Sequence, residues 1–163
     1  MATSIRGPTA PTTTLDRYTR LVGRVLDVPA ACISLIDADG WLTTSSYGMP
    51  PPNAMLVAWS FLKRTDASGR PLVVEDGRRD LRVARLPAVS EGMVAAYVGM
   101  RLVASDGRVV GTLSAMDEKP RRWTARHLAF LRQVRLLLLA ERDEGTATGD
   151  MLDAAAVHMG ATP

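Results

Sequence analysis

Cysteine and histidine offer the widest choice of catalytic and metal-binding chemistry, and this sequence contains only three such residues. Cys32 is the one cysteine, which excludes an internal disulfide and a cysteine-rich metal site. His127 and His158 lie far apart, without neighbouring ligands at metal-binding spacing. We therefore expect no metal, and we interpret Cys32 as a small buried hydrophobic residue of a strand.

Covalent catalysis needs a hydroxyl or a thiol beside a general base. The sequence places no histidine and aspartate around Ser34, Ser45 or Ser46 in the way that a nucleophilic serine requires. We therefore expect no catalytic centre. A small redox or hydrolytic enzyme is the alternative from another functional class, and this pattern disfavours it.

Arginines make up most of the basic residues and form one dense cluster. Its members are Arg78, Arg79, Arg82 and Arg85. Guanidinium groups form paired hydrogen bonds with carboxylates and phosphates, so the cluster can contact an anionic ligand. Alternatively, Glu75, Asp76 and Asp80 are local partners in a solvated loop. The formal net charge is only +3 and the other basic residues are dispersed, so we expect no nucleic-acid partner.

The spacing of apolar residues predicts the helices that would position these groups. Thr14 can cap a first amphipathic helix whose apolar residues are Leu15, Tyr18, Val22, Val25 and Leu26. Thr124 can cap a last helix, ending near Asp143, whose apolar side consists of Leu128, Leu131, Val134 and Leu138. A central helix is predicted over residues 54–65.

Strands are predicted over residues 31–36, 41–47, 71–74, 94–103 and 108–116. The last two form a hairpin around Asp106 and Gly107. Residues 76–90 read as irregular. This order differs from the alternation of strand and helix in a parallel sheet. It predicts an α+β fold: a central antiparallel sheet, the terminal helices on one face, and the central helix plus the irregular segment over a pocket on the other.

The length of 163 residues indicates one domain with tails. We expect a flexible leader over residues 1–13, a domain over 14–143, and a mobile tail over 144–163 with at most a weak helix near 151–159. No apolar run approaches the ~20 residues of a membrane helix. The N-terminus has no signal-peptide pattern. We therefore expect a cytoplasmic protein without a membrane partner.

Strand parity indicates which residues line the pocket. On the last strand Val110, Thr112, Ser114 and Met116 share one face. The pocket residues that we predict are Trp59, Ser60, Leu62, Tyr97, Thr112, Ser114 and Met116. The alternative is that the backbone satisfies these hydroxyls while large side chains fill the cavity. A register shift of one residue would also invert the assignment.

Three stretches together resemble a GAF domain, the ligand-sensing module common in bacterial signalling proteins. They are "VPAACISLIDADGWLTTSSYG", "GRPLVVEDGRRDLRVARLPAV" and "AAYVGMRLVASDGRVVGTLSAMDEKPRRWT". They span roughly residues 14–143 in the order and spacing of the family. The resemblance implies a non-catalytic sensory or regulatory domain that acts in signal transduction and binds an unidentified small molecule.

The resemblance also implies a homodimer through residues 14–27 and 124–143. The run Leu136 to Leu139 supports this, because it places leucine around most of a helical turn. We expect output through the dimer or through a separate signalling protein, since the tails are too short for an output domain. The alternative function is a ligand-free protein–protein interaction module with a closed pocket.

The sequence departs from family members that carry a cofactor. Where related domains have a serine-phenylalanine-cysteine motif followed by a histidine, Leu62 replaces the cysteine and Arg64 the histidine. The resemblance therefore implies no thiol-linked bilin. It implies no haem either, because His127 belongs to the last helix and His158 to the tail. The cofactor, if one exists, is unknown.

Overall fold

The computed structural model describes residues 12–36, 42–65 and 70–159. In chain order the elements are α1 (Thr12–Val25), β1 (Ala30–Ile36), β2 (Leu42–Tyr47), α2 (Pro51–Leu62), β3 (Leu72–Val74), α3 (Pro87–Ser90), β4 (Ala96–Val103), β5 (Val109–Asp117) and α4 (Ala125–Met159). Some of the predicted segments lie outside the described residues. They are residues 1–11 of the leader, the turn at 37–40 with Trp41, and residues 160–163 of the tail.

The five strands form one antiparallel sheet in the order β2-β1-β5-β4-β3. Each face of the sheet is covered by a separate apolar core. One core joins the sheet to α1 and α4 through Val22, Ile33, Val98, Leu113 and Leu131. The other joins it to α2 and residues 83–94 through Cys32, Val57, Phe61, Val83, Tyr97 and Met116. The predicted α+β class and the division of the helices between the two faces are confirmed.

Gly111 allows β1 and β5 to pair at the centre of the sheet. A Cβ at this position would lie 2.0 Å from the carbonyl oxygen of Ser34, which belongs to the backbone and cannot move aside alone. Gly107 has a different role, because the hairpin turn gives it a φ of +84° and leaves the space around it open. Gly111 is needed for the close approach of two strands, and Gly107 for the positive φ of the turn.

The buried face of α1 differs from the predicted one at two positions. Val25 is more than half exposed, whereas Thr19 is buried. The Thr19 hydroxyl is satisfied within the core, because it donates to the backbone and lies 3.0 Å from the Ser45 hydroxyl. The buried face of α1 therefore includes a polar side chain whose hydroxyl has hydrogen-bond partners, at a position that hydrophobic spacing did not assign to the core.

Helix α2 begins at Pro51, earlier than predicted, because proline is tolerated in the first helical turn, where backbone N–H groups have no helical partner. Helix α4 continues to Met159, past the predicted end near Asp143. No proline interrupts residues 144–159, and they include a run of three alanines, the residue with the highest helix propensity.

One residue of β5 departs from the predicted alternation. The pairing of β4 with β5 shifts between Leu102 and Val103, which leaves Val110 as an extra residue. Val110 consequently packs in the core of the terminal helices. Met116 lies in the opposite core, on the face predicted for it. This β-bulge corrects the face that alternation predicted for Val110.

The contact at Gly111 can be tested by substitution. We expect Gly111→Ala to lower the free energy of unfolding by about 2–3 kcal/mol, since the added methyl group must push two paired strands apart. Urea denaturation measures the change. Gly107→Asn is the matched control and should cost less than about 1 kcal/mol, because asparagine tolerates positive φ. Equal losses at the two positions would contradict this explanation.

Candidate functional site

The interior between α2 and the sheet is filled by aromatic side chains. Phe61 and Tyr97 stack with their ring centroids 3.9 Å apart and an interplanar angle of 15°. Both rings are buried. A Cβ at Gly99 would lie 2.2 Å from the Tyr97 hydroxyl oxygen, so this glycine makes room for the phenol. The predicted pocket residue Tyr97 therefore belongs to the packed interior.

Three more predicted pocket residues, Thr112, Ser114 and Met116, are buried in β5. The Ser114 hydroxyl donates to the carbonyl of Cys32 at 3.4 Å. Burial raises the pKa of Tyr97 well above its ordinary value, and a hydrogen bond with Ser114 opposes part of that rise. The phenol is therefore neutral throughout the physiological range. These hydroxyls are engaged with protein groups.

The Cys32 thiol lies beneath α2, 3.5 Å from the Ser34 hydroxyl and 4.0 Å from the carbonyl oxygen of Ala54. Burial raises its pKa to about 11, while the hydrogen bond with Ser34 acts in the opposite direction. A buried neutral thiol is a poor nucleophile. A thiol-linked bilin does not fit these residues, because the one cysteine of the sequence is packed inside the core.

Arg101 is a site residue that sequence reasoning missed. Its Nε donates to the Thr65 hydroxyl at 2.9 Å, and its Nη2 lies 3.4 Å from the carbonyl oxygen of Leu62. The guanidinium thus joins β4 to the end of α2, where the helix dipole favours a cation. The sequence signal that could have identified it is an arginine in an otherwise apolar strand, four residues after Tyr97 and therefore on the same face of the sheet.

The other side of α2 borders an open cleft of about 560 Å³. Its lining residues are Trp59, Ser60, Lys63, Arg64 and Leu86. The predicted pocket residues are therefore divided between two places. Trp59 and Ser60 line the cleft, whereas Tyr97, Ser114 and Met116 lie in the interior. Leu62 is half-buried at the end of α2.

The predicted arginine cluster lies on the segment that covers the second core. Arg82 forms an ion pair with Asp80 at 2.6 Å and donates to the carbonyl of Val73 at 2.8 Å. The side-chain hydrogen bond from Arg82 lowers the pKa of Asp80. Arg78, Arg79 and Arg85 are exposed. Arg82 therefore stabilises the segment itself, while the other three remain surface cations.

His127 caps α4. Its Nδ1 accepts a hydrogen bond from the backbone N–H of Thr124 at 3.1 Å, and the Thr124 hydroxyl accepts one from the His127 N–H at 3.3 Å. Burial, with the nearby charge of Arg121, lowers the pKa of His127, which favours the neutral imidazole whose Nδ1 can accept a hydrogen bond. Within the part of the chain that the structure describes, no acidic, cysteine or histidine side chains gather into a metal-binding group.

A second surface lies along α1 and α4. Leu21, Val25, Leu136 and Leu137 are exposed there, and we call them the terminal-helix patch. Beside it runs a groove of about 360 Å³, lined by Thr14, Arg17, Tyr18, Arg20, Leu21, Arg24 and Glu141.

Tyr18 fixes α1 against α4 beside this patch, because its hydroxyl donates to Glu141 Oε1 at 2.7 Å. Burial and this hydrogen bond raise the pKa of Tyr18 to about 12. The phenol therefore remains a donor at all physiological pH values. None of the described helices has the length and apolarity needed to cross a bilayer.

The burial of Cys32 leads to a chemical prediction. We expect iodoacetamide at pH 8 to leave the native protein unmodified, because the thiol is inaccessible and protonated. Mass spectrometry should show one added carbamidomethyl group after denaturation in urea. Rapid alkylation of the folded protein would contradict the described position of the thiol.

Comparisons with known proteins agree with this architecture. A sequence profile described as GAF domain matches residues 10–138. A domain from a protein described as a two-component sensor histidine kinase of Sinorhizobium meliloti superposes with a TM-score of 0.69 at 17% identity, covering 88% of this chain and 99% of that chain. Among curated proteins no significant match was found.

Other solved structures share the fold at similarly low identity. GAF3 of a Synechocystis protein, in its photoproduct state, has a TM-score of 0.67 at 17% identity and covers 86% of this chain and 98% of its own. The GAF domain of an Acinetobacter phosphoenolpyruvate-protein phosphotransferase has a TM-score of 0.63 at 15% identity, covering 88% and 89%. The fold, the order of the elements and a family profile that spans most of the sequence lead to one conclusion: the chain belongs to the GAF domain family.

Proposed function

We propose that this GAF domain is a non-catalytic sensory or regulatory module that binds a small molecule on the α2 side and signals through a homodimer of its terminal helices. The observation that carries the proposal is the placement of two unlike surfaces on opposite faces of one sheet. An open cleft lined in part by cations lies beside α2, and an exposed apolar patch lies on α1 and α4. The names of similar domains, a sensor histidine kinase among them, support a role in signalling.

The terminal-helix patch has the chemistry of a dimer interface. Leu136 is 64% exposed and Leu137 53% exposed, although the same helix buries Leu131, Val134 and Leu138 on its inner side. Burying a leucine side chain gains about 1.5–3 kcal/mol. A two-fold axis would bring the patch of one protomer against the same patch of the other, so each leucine contributes twice.

Strand β4 provides a physical connection between the two surfaces. Tyr97 packs under α2, while its neighbours Ala96 and Val98 pack under the terminal helices. Arg101 ties the end of α2 to the same strand. A ligand that displaced α2 would therefore strain β4, and through it the packing of α1 and α4. Close-packed cores transmit such displacements because they contain little free volume.

The geometry also supports the absence of catalysis. Within the described residues, the hydroxyl and thiol groups contact backbone groups, other hydroxyls, the carboxylates of Asp16 and Glu141 and the guanidinium of Arg101. None of these contacts joins a hydroxyl or the thiol to an imidazole. His127 is engaged in capping α4. A nucleophile activated by a neighbouring base has no counterpart in this arrangement.

A ligand-free interaction module is the second candidate function. It is favoured by the interior, where the stacked Phe61 and Tyr97 occupy the space beneath α2. Native mass spectrometry of freshly purified protein separates the two functions. A small molecule that is released on denaturation supports the sensor, whereas a bare protein whose melting temperature no metabolite raises supports the interaction module.

The dimer is tested by charge insertion. We expect the wild-type protein to be a dimer in light scattering, and Leu136→Glu combined with Leu137→Glu to weaken dimerisation by about 100-fold or more, because the interface would bury unpaired carboxylates. The melting temperature of the variant monomer should change little, since both side chains are exposed.

Leu81→Glu is the matched control, because Leu81 is 95% exposed on the segment that covers the opposite core. This variant should dimerise like the wild-type protein. A wild-type protein that remained monomeric at high micromolar concentration would refute the proposed output.

A further inference from the structure

The cleft beside α2 combines an aromatic wall with two cations. Trp59 and Leu86 are half-buried and form its apolar walls, whereas Lys63 and Arg64 are exposed at its rim. Ser60 adds a hydroxyl. The cleft volume of about 560 Å³ falls within the range of about 300–1,000 Å³ that is typical of small-molecule sites.

The two cations lack acidic partners in the described ranges 12–36, 42–65 and 70–159. The ion pairs there involve Arg82, Arg108 and Arg121, and neither Lys63 nor Arg64 takes part. Both residues follow the C-terminal end of α2, where the helix dipole stabilises a positive charge. The dipole does not provide hydrogen-bond acceptors for the N–H groups of the two side chains. Together the two side chains carry up to eight N–H donors, and within the described residues none of these donors belongs to an ion pair.

The two walls select the shape of the ligand. An indole offers a flat face on which another ring can stack, and a leucine can cover the opposite face of that ring. Trp59 lies one helical turn before Lys63, so the platform and the ammonium group are on the same side of α2. A flat apolar body against Trp59 would therefore hold its anionic group near the rim.

We propose that this cleft binds a small organic anion that has a flat, largely apolar body and one carboxylate or phosphate group. Trp59 and Leu86 hold the body, and Lys63 and Arg64 hold the anionic group. The site is separate from the interior beneath α2, which Phe61 and Tyr97 fill. The inference rests on the proposed sensory function and names the class of molecule that is sensed.

The test uses a pair of probes of equal shape, 2-naphthoate and its neutral amide, 2-naphthamide. We expect 2-naphthoate to bind the full-length protein with one site per chain and to shift the indole N–H signal of Trp59 in a nitrogen–proton correlation spectrum. A Trp59→Phe variant assigns that signal among the three tryptophans. The amide should bind about tenfold more weakly, because it cannot form charge-assisted hydrogen bonds with the rim.

A double variant, Lys63→Gln with Arg64→Gln, should weaken binding of 2-naphthoate about tenfold and leave binding of 2-naphthamide unchanged. Both side chains are exposed, so an unchanged melting temperature verifies that the variant is folded. Arg122→Gln with Arg126→Gln is the matched control: it removes the same charge from exposed positions outside the cleft and should bind both probes like the wild-type protein.

Three results would overturn the proposal: no binding of 2-naphthoate, equal loss of affinity in the cleft variant and the control, or shifts that spare Trp59 and fall on α1 and α4. The last result would assign the probe to the terminal-helix patch. Failure here is distinguishable from failure of the dimer, because light scattering without any probe tests dimerisation alone.

Discussion

The pairing of β1 with β5 is the interaction on which the rest of this structure depends. The two strands are about 80 residues apart in the chain, and their contact joins the hairpin β1–β2 to the hairpin β4–β5. Gly111 makes the contact possible, since any side chain there would collide with the Ser34 carbonyl. Without this pairing neither face of the sheet would be wide enough to carry a layer of helices.

Strand alternation then separates the two surfaces of the proposed function. Consecutive residues of β1, β4 and β5 contribute to opposite cores, so that Cys32 and Ile33, or Tyr97 and Val98, are neighbours in the chain and belong to different layers. The α2 side is the more polar, with buried hydroxyls and the guanidinium of Arg101. The terminal-helix side buries fewer hydroxyls, those of Thr19 and Ser45, which contact each other. A conformational change on the α2 side would reach the terminal helices through a single sheet.

Local sequence signals were sufficient for the elements that local chemistry determines. Asp106 and Gly107 predicted the last hairpin, because only a few residues adopt the positive φ of such a turn, and the stripe of Leu131, Val134 and Leu138 predicted the buried side of α4. The predicted start of the central helix and the predicted buried face of α1 were wrong, because proline occurs both in loops and in first helical turns and threonine both at surfaces and in cores. Pro51 precedes the predicted start of the central helix and belongs to the first turn of α2. Thr19 is buried because its hydroxyl contacts the backbone and the distant Ser45.

The candidate site was less predictable than the fold. Parity identified Ser114 and Met116 as α2-facing, but periodicity carries no information on whether a cavity beneath α2 is open or filled by Phe61 and Tyr97. The cleft also depends on Leu86, which the chain brings to α2 from an irregular segment without any periodic pattern. Arg101 was overlooked because an apolar strand is recognised by its apolar residues.

Hydrogen–deuterium exchange of the full-length protein, with and without 2-naphthoate, tests the central claim that the two faces of the sheet are coupled. The account predicts slower exchange in α2 and, in the same sample, a change in the exchange rates of α1 and α4 on the opposite face. Protection confined to α2 and the residues around Leu86, with α1 and α4 unaltered at saturating probe, would contradict it.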